Sequence, residues 1–142
     1  MSEIIFKRPD EGEPLGKGRL ILGMDELTML EYTLDATSEA GEPHIHKRHV
    51  DAFLVLDGEL EFPTGPGRSL RAPAGSLVVA PPGVVHAFPR AVTGRARFLN
   101  VHAPGGFHNT LRELIEVRAT GREPTPELQQ RHDGFPTAWP AP

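Results

Sequence analysis

The chain has 142 residues, with 15 Lys and Arg against 19 Asp and Glu, which gives a formal net charge of −4. This length suits one domain that can bury a hydrophobic core. The charge balance, without a dense basic patch, argues against nucleic acid as a partner. The sequence contains no cysteine, which excludes disulfides, thiolate metal ligands and a cysteine nucleophile.

The N-terminus and the apolar runs bear on where the protein is located. The first ten residues lack the apolar core and the small-residue cleavage site of a signal peptide. No apolar run approaches the length of a membrane span. We therefore expect a cytoplasmic protein with no membrane partner. Fifteen glycines and fifteen prolines, spread along the chain, predict many turns between short strands.

The first part of the chain predicts β-strands. Residues 3–8 are β-prone, and residues 18–23 and 28–35 have the composition of strands. Within residues 28–35, apolar side chains recur at every second position. Because alternate side chains of a strand share one face, this pattern predicts a half-buried sheet.

A tight hairpin is predicted over residues 51–62. Asp57 and Gly58 form a two-residue loop that favours a type I′ turn, in which both central residues need a positive φ. The run Ala52–Leu56 is apolar on both faces, which predicts a strand deep in the domain. Further strands are predicted near residues 68–72, 76–80 and 95–103.

The pattern changes after the break at Pro104–Gly106. Apolar residues at helical spacing predict an amphipathic helix over residues 107–118. Thr125, Pro126 and Glu127 have the order of an N-cap, a proline at the first helical position and an early acid, which predicts a short second helix. The Pro-rich tail that follows is expected to lie extended over the surface.

Four residues form a candidate metal site. His44 and His46 lie two positions apart, so in a strand both imidazoles leave the same face. Asp51 begins the next apolar run, and His86 follows a later strand and a Pro-Pro-Gly turn. Three imidazoles and one carboxylate that converge within β-structure suit a divalent transition metal.

These residues resemble the first motif of the cupin superfamily, G-x5-H-x-H-x3,4-E-x6-G. Gly41, His44, His46 and Gly58 match it, and Asp51 stands where the family usually has Glu. The spacing from Gly41 to His44 is shorter than in the pattern. A second motif, G-x5-P-x-G-x2-H-x3-N, is matched over residues 75–90 by Gly75, Pro81, Gly83 and His86, with Arg90 in place of Asn.

The resemblance implies an all-β fold, a double-stranded β-helix or jelly-roll cupin barrel, with one or two short C-terminal α-helices. A single cupin domain would span residues 1–142, with the barrel core at about 15–104 and the helical segment and Pro-rich tail at 105–142. In small cupins the N-terminal strand often pairs with a second subunit. The resemblance therefore also implies a homodimer, in which residues 3–8 would take that role.

The same resemblance implies one divalent transition metal, from the group Fe, Mn, Ni, Cu, Zn and Co, with His44, His46, His86 and Asp51 as ligands. Asp is one methylene shorter than Glu, so the carboxylate of Asp51 would fall short by about 1.5 Å. It either ligates the metal directly or orients a histidine ligand from outside, in which case the metal keeps three histidines. We favour direct ligation.

Two further histidines are candidate catalytic bases. His49 lies in the turn beside Lys47 and Arg48, which favours an exposed surface histidine, although its near-neutral pKa would suit an acid or base at the barrel mouth. His102 shares a strand face with Asn100, and that face is either the barrel interior or the outside. The remaining histidines are predicted to lie on the surface: His108 and His132.

The chain most resembles the single-domain, quercetin dioxygenase-like cupins of bacteria. This implies a metal-dependent dioxygenase acting on a small aromatic or enolic compound. Phe53 and Phe88, with Phe98 if it faces inward, would line the pocket. One alternative is an isomerase, lyase or cyclase that uses the ion as a Lewis acid, and another is a non-catalytic cupin that binds a small molecule.

Overall fold

Short antiparallel strands, arranged in three sheets, make up most of the protein. The computed structural model describes residues 3–141. Its strands are β1 (Glu13–Leu15), β2 (Gly18–Gly23), β3 (Thr28–Asp35), β4 (His44–Ile45), β5 (Val50–Asp57), β6 (Glu59–Gly65), β7 (Arg68–Pro73), β8 (Leu77–Ala80), β9 (Arg90–Ala91), β10 (Arg95–Ala103) and β11 (Phe135–Pro136). Two helices, α1 (Phe107–Ala119) and α2 (Pro126–Arg131), lie between β10 and β11. The predicted all-β class with two short C-terminal helices is confirmed.

The largest sheet has six strands in the order β1-β2-β3-β10-β5-β8, and a three-stranded sheet has the order β7-β6-β9. Buried apolar side chains from both sheets form one core cluster. Phe53 of the large sheet contacts Phe62 of the small one, with ring centroids 5.1 Å apart. The third sheet is the pair β4-β11, which ties part of the Pro-rich tail to the strand that carries His44.

Strand β10 shows how the core turns into a polar site. Its buried side chains alternate strictly with exposed or partly exposed ones, which is the pattern of a half-buried strand. Ala96 and Phe98 on the buried face belong to the hydrophobic core, whereas Asn100 and His102 continue the same face with polar groups. In the register with β5, His102 lies opposite Asp51. The inner face therefore changes from apolar to polar along the length of these two strands.

The predicted hairpin over residues 51–62 is wrong. Strand β5 pairs with β10 and β8, whereas β6 pairs with β7 and β9, so the chain passes from one sheet to the other at Gly58. Gly58 has a φ of 75°, but Asp57 is an ordinary strand residue. A Cβ at Gly58 would overlap the carbonyl oxygen of Arg95. Glycine is required here for a close crossing between sheets, not for a type I′ turn.

Two other expectations about strands are corrected. In β5 only one face is buried, because Phe53 and Val55 point into the core while Leu54 on the other face is exposed. Its neighbour Leu77 on β8 is 64% exposed, so this outer face is apolar but open in the single chain. Residues 3–8 form no strand within the chain and are exposed. Their pairing with a second subunit stays a prediction.

The C-terminal region follows the sequence signals closely. Helix α1 begins at the predicted residue and runs one residue further than expected. The Thr125 side chain caps α2 by accepting a hydrogen bond from the Leu128 backbone N–H at 3.2 Å. The tail is extended, as expected, but Phe135 and Pro136 also pair with β4. No helix within residues 3–141 is long and apolar enough to cross a membrane.

Candidate metal centre

Local backbone pairing brings the three predicted histidine ligands together. His44 and His86 form an isolated β-bridge, in which each backbone N–H donates to the other residue's carbonyl oxygen at 2.9 and 3.0 Å. The Pro-Pro-Gly turn before His86 is held to the same segment, since the Gly83 N–H donates to the His46 carbonyl oxygen at 2.7 Å. The ring centroids of His44, His46 and His86 are 4.4–4.9 Å apart.

The carboxylate of Asp51 lies among these imidazoles. Asp51 is on the inner face of β5 and is only 4% exposed. Its Oδ2 atom is 2.9 Å from His86 Nε2 and 3.4 Å from His46 Nε2. His44, His46, Asp51 and His86 each offer a ligand atom, and these atoms lie within 4.8 Å of one another. The shorter side chain of Asp thus still reaches the cluster.

Backbone carbonyl groups fix the orientation of the three imidazoles. A carbonyl oxygen can only accept, so the Nδ1 of each ring carries a proton, and the Nε2 of His44 and of His46 keeps a lone pair. In the metal-free protein His86 Nε2 also carries a proton, which it donates to Asp51 Oδ2 at 2.9 Å. The acceptors are the carbonyl oxygens of Glu42 for His44 at 3.0 Å, Asp133 for His46 at 2.8 Å and Val84 for His86 at 2.9 Å. This arrangement is typical of metal-binding histidines, and the residues fit a divalent metal.

The expectation that His49 lies on the surface is wrong. His49 is only 7% exposed, and its ring stacks on that of His46 with centroids 3.9 Å apart. Its Nδ1 donates to the Asp133 carboxylate at 2.8 Å. The flanking charges of Lys47 and Arg48 do face outward, but they do not decide the direction of the side chain between them and β5.

Asp133 is an important residue that the sequence analysis missed. It follows α2 and has a φ of 64°, in the left-handed region that Asp tolerates better than most residues. Its carboxylate also accepts the backbone N–H groups of Lys47 and Arg48 at 2.9 and 2.8 Å. Through these contacts and its carbonyl oxygen, Asp133 positions the turn after β4 together with His46 and His49. Its 84-residue separation from His49 left no local signal.

His102 lies on the inside of the barrel, which decides between the two orientations left open by the sequence. It is 2% exposed, and Phe107 of α1 stacks on its ring with centroids 4.1 Å apart. Its Nε2 donates to Asn100 Oδ1 at 2.9 Å, while Asn100 Nδ2 donates to Asp51 Oδ1 at 2.6 Å. Asn100 therefore links His102 to the carboxylate at the centre of the cluster.

The other two histidines, predicted on the surface, are half-buried. His108 Nδ1 lies 3.0 Å from the Thr28 hydroxyl oxygen, and His132 Nε2 lies 3.3 Å from the carboxylate of Glu113. Neither belongs to a group of converging metal-ligating side chains within the part of the chain that the structure describes.

The electrostatics of the cluster favour an anionic Asp51 among mostly neutral imidazoles. Burial opposes ionisation of Asp51, but His102, His46 and His86 outweigh it and hold the pKa of the carboxyl well below its usual range. Burial lowers the pKa of His44 to about 4 and that of His102 to about 3. Burial also disfavours protonated His86, but the Asp51 hydrogen bond and charge outweigh it and raise its pKa.

A cavity of about 450 Å³ opens beside the cluster, and His44, His46, Asp51 and His102 line it. Its remaining wall includes four aromatic side chains, beside aliphatic and charged ones: Tyr32, Phe53, Phe88 and Phe107. Phe53 and Phe88 were predicted to line the pocket, whereas Phe98 lies behind it, fully buried and stacked on Tyr32. Tyr32 could have been found from the sequence, since it occupies the apolar face of residues 28–35.

Comparison with known proteins agrees with this architecture. A family model described as "Cupin domain" matches residues 30–102, just over half of the chain. No curated protein sequence gives a significant match.

Several solved structures share the fold. An uncharacterized conserved protein with a double-stranded β-helix domain from Klebsiella pneumoniae is 26% identical, with a TM-score of 0.56, over 74% of this chain and 93% of that chain. An RmlC-like cupin protein from Desulfovibrio desulfuricans is 25% identical, with a TM-score of 0.56, over 70% of this chain and 98% of that chain.

The structure of KdgF from Halomonas sp., 21% identical with a TM-score of 0.54 over 65% of this chain and 84% of that chain, is similar in fold. The predicted double-stranded β-helix is thereby confirmed. With its family model matched across both histidine motifs, the chain belongs to the cupin family.

Proposed function

We propose that this cupin is a metal-dependent dioxygenase acting on a small aromatic or enolic compound. The observation that carries the proposal is that three members of the His/Asp cluster, His44, His46 and Asp51, lie in the wall of a cavity that four aromatic side chains also line. A cavity of about 450 Å³ is within the usual size range for small-molecule sites.

The residues that would hold the metal are His44, His46, His86 and Asp51. Asp51 contacts His86 through Nε2, the nitrogen that faces the cluster, whereas the outward Nδ1 is already bonded to a carbonyl oxygen. A carboxylate that only oriented His86 would contact the outward nitrogen. This geometry supports Asp51 as a direct ligand.

A bound redox-active ion would supply the electron chemistry and, with one anionic ligand, keep a positive charge that attracts an enolate or phenolate oxygen. The chain's own contribution is to bind and orient the substrate. Tyr32, Phe53, Phe88 and Phe107 offer flat surfaces against which an aromatic ring can pack. Burial and the charge of Asp51 raise the pKa of Tyr32, so its hydroxyl stays protonated and can donate a hydrogen bond.

The base that would deprotonate the substrate remains one of the two predicted histidines. His102 lines the cavity, whereas His49 stacks behind His46 and lines a smaller cavity of about 250 Å³. Burial is the main cause that lowers the pKa of each, so both are neutral at pH 7, and the value of about 3 makes His102 a weak base. The position of His102 beside the larger cavity supports it as the first candidate.

The proposal is tested by adding flavonols, catechols and β-diketones to metal-loaded protein while dissolved dioxygen is followed with an electrode. We expect uptake that requires both metal and substrate and that is lost in His44→Ala. Lys47→Ala is the matched control, since Lys47 lies over the Phe135 ring away from the ligands and its loss should leave uptake unchanged. Conversion at the same rate without dioxygen would instead establish Lewis-acid catalysis, and binding without conversion would establish a non-catalytic cupin.

A further inference from the structure

A second group of histidine nitrogens lies next to the proposed metal ligands. His46, His49 and His102 each offer a ring nitrogen, and these nitrogens lie within 4.8 Å of one another. His46 Nε2, His49 Nε2 and His102 Nδ1 are fully buried and have no hydrogen-bond partner among residues 3–141. Buried polar atoms are almost always paired, so three unpaired nitrogens in one place call for an explanation.

The hydrogen bonds on the other side of each ring decide where the protons are. His46 Nδ1 donates to the Asp133 carbonyl oxygen and His49 Nδ1 to the Asp133 carboxylate, both at 2.8 Å. His102 Nε2 donates to Asn100 Oδ1 at 2.9 Å. That amide is itself oriented, because its Nδ2 donates to Asp51 and to the Ala52 carbonyl oxygen. Each of the three unpaired nitrogens therefore carries a lone pair.

We infer that His46, His49 and His102 form an inner metal position, which binds a divalent transition metal through three neutral imidazoles. Three histidines with an open fourth position are a familiar zinc ligand set. The contact between Asp133 and His49 is the carboxylate–histidine pairing that supports metal ligands. Asp51, 3.4 Å from His102 Nε2, provides a second nearby negative charge.

The inner position shares His46 with the set formed by His44, His46, Asp51 and His86, which we call the outer position. One nitrogen binds one ion, so the two positions are alternatives and each chain holds a single ion. The outer position has an anionic ligand and is the tighter of the two. The ion binds at the inner position when ligands of the outer position are removed. The five histidines thus form two overlapping sites.

The test uses Co²⁺ alone and the full-length variant His44→Ala/His86→Ala, which keeps only two of the four outer ligands. We expect one Co²⁺ per chain, with the visible absorption of a nitrogen-bound ion. The double variant should bind Co²⁺ more weakly than the unsubstituted protein. The loss should exceed roughly 10–100-fold, which is the usual cost of removing a residue that only supports a metal ligand. Adding His49→Ala should abolish binding, whereas adding His108→Ala should not. A folded double variant that binds no Co²⁺ would overturn the inference.

A milder variant covers the case in which the double variant does not fold. His86→Gln keeps a hydrogen-bond donor for Asp51, and its crystals can be grown with Zn²⁺. An anomalous peak within bonding distance of His49 and His102 supports the inner position. A peak bonded only to the remaining outer ligands, or a water in the place of the ion, contradicts it. Neither result depends on oxygen uptake, so this inference and the proposed activity can fail separately.

Discussion

The two ends of the inner face of β5 and β10 differ in chemistry although the same pair of strands builds both. At one end Val55 lies opposite Phe98, and both belong to the hydrophobic core. At the other end Asp51 lies opposite His102, and both are equally inaccessible to solvent but polar. Burial of apolar side chains at the first end stabilises the folded state. At the second end, burial of polar and charged side chains costs free energy unless a ligand or a hydrogen bond compensates for it. The polar site therefore depends for its stability on the hydrophobic core next to it.

The largest expected effect comes from breaking the apolar end. Phe98→Ala should lower the free energy of unfolding by about 3–5 kcal/mol, because it removes a fully buried ring and leaves a cavity. Denaturant titration of the metal-free protein measures this loss. Leu77→Ala is the matched control, since Leu77 lies on the exposed outer face of β8 and its loss should cost less than about 1 kcal/mol. Equal losses in the two variants would contradict the assignment of the core.

The polar end is tested through Asp51. If Asp51 is a direct ligand, Asp51→Asn should weaken metal binding by more than roughly 100-fold, beyond the usual cost of removing a group that only supports a ligand. Asp51→Glu should be tolerated, because Glu is the usual cupin residue at this position. Isothermal titration with one metal compares both variants with Lys47→Ala. If Asp51→Asn loses no more metal affinity than Lys47→Ala does, Asp51 is not a metal ligand.

The smallest expected effect is the share that one histidine has in the pH dependence of the metal-free protein. His44, His49 and His102 have lowered pKa values in the folded state, and that of His44 is about 4. Below about pH 6.5 the unfolded chain therefore takes up protons that the folded chain does not, and stability falls as the pH falls toward 4. His86 has the opposite effect on stability, because its pKa is raised in the folded state. It adds stability below about pH 6.5, and this contribution is lost as the pH rises through the pKa of His86 in the folded protein.

His44 alone should account for about 2–3 kcal/mol of the loss between pH 6.5 and 4. Chemical unfolding at several pH values measures it, and His44→Gln should flatten the dependence by removing one of the three groups. The same slope in both proteins would show that His44 is not neutral in the folded state.

The sequence predicted those parts of the fold that local patterns decide. The alternation in residues 28–35 predicted that strand with its observed bounds, the strand predicted at 95–103 also has its observed bounds, and the Thr125-Pro126 signal predicted the start of α2. The hairpin at Gly58 was wrong because a type I′ turn and a crossing between sheets both use a glycine with positive φ. Only strand pairing, which is long-range, distinguishes them.

The same limit applies to the site. The H-x-H spacing and the turn before His86 are local, and the structure brings these three histidines together with Asp51. His49 and Asp133 were not recognised as partners because their contact depends on how the chain returns after α2. A single sequence contains no direct signal for a contact between residues so far apart in the chain.

Whether the outer position holds a metal ion is tested most directly by locating that ion. Unsubstituted protein would be equilibrated with one divalent transition metal at a time, crystallised, and measured on both sides of the metal's absorption edge. We expect one anomalous peak per chain, within bonding distance of His44, His46, His86 and Asp51. Density maps that show no metal among these four residues, for any of the metals tried, would contradict it.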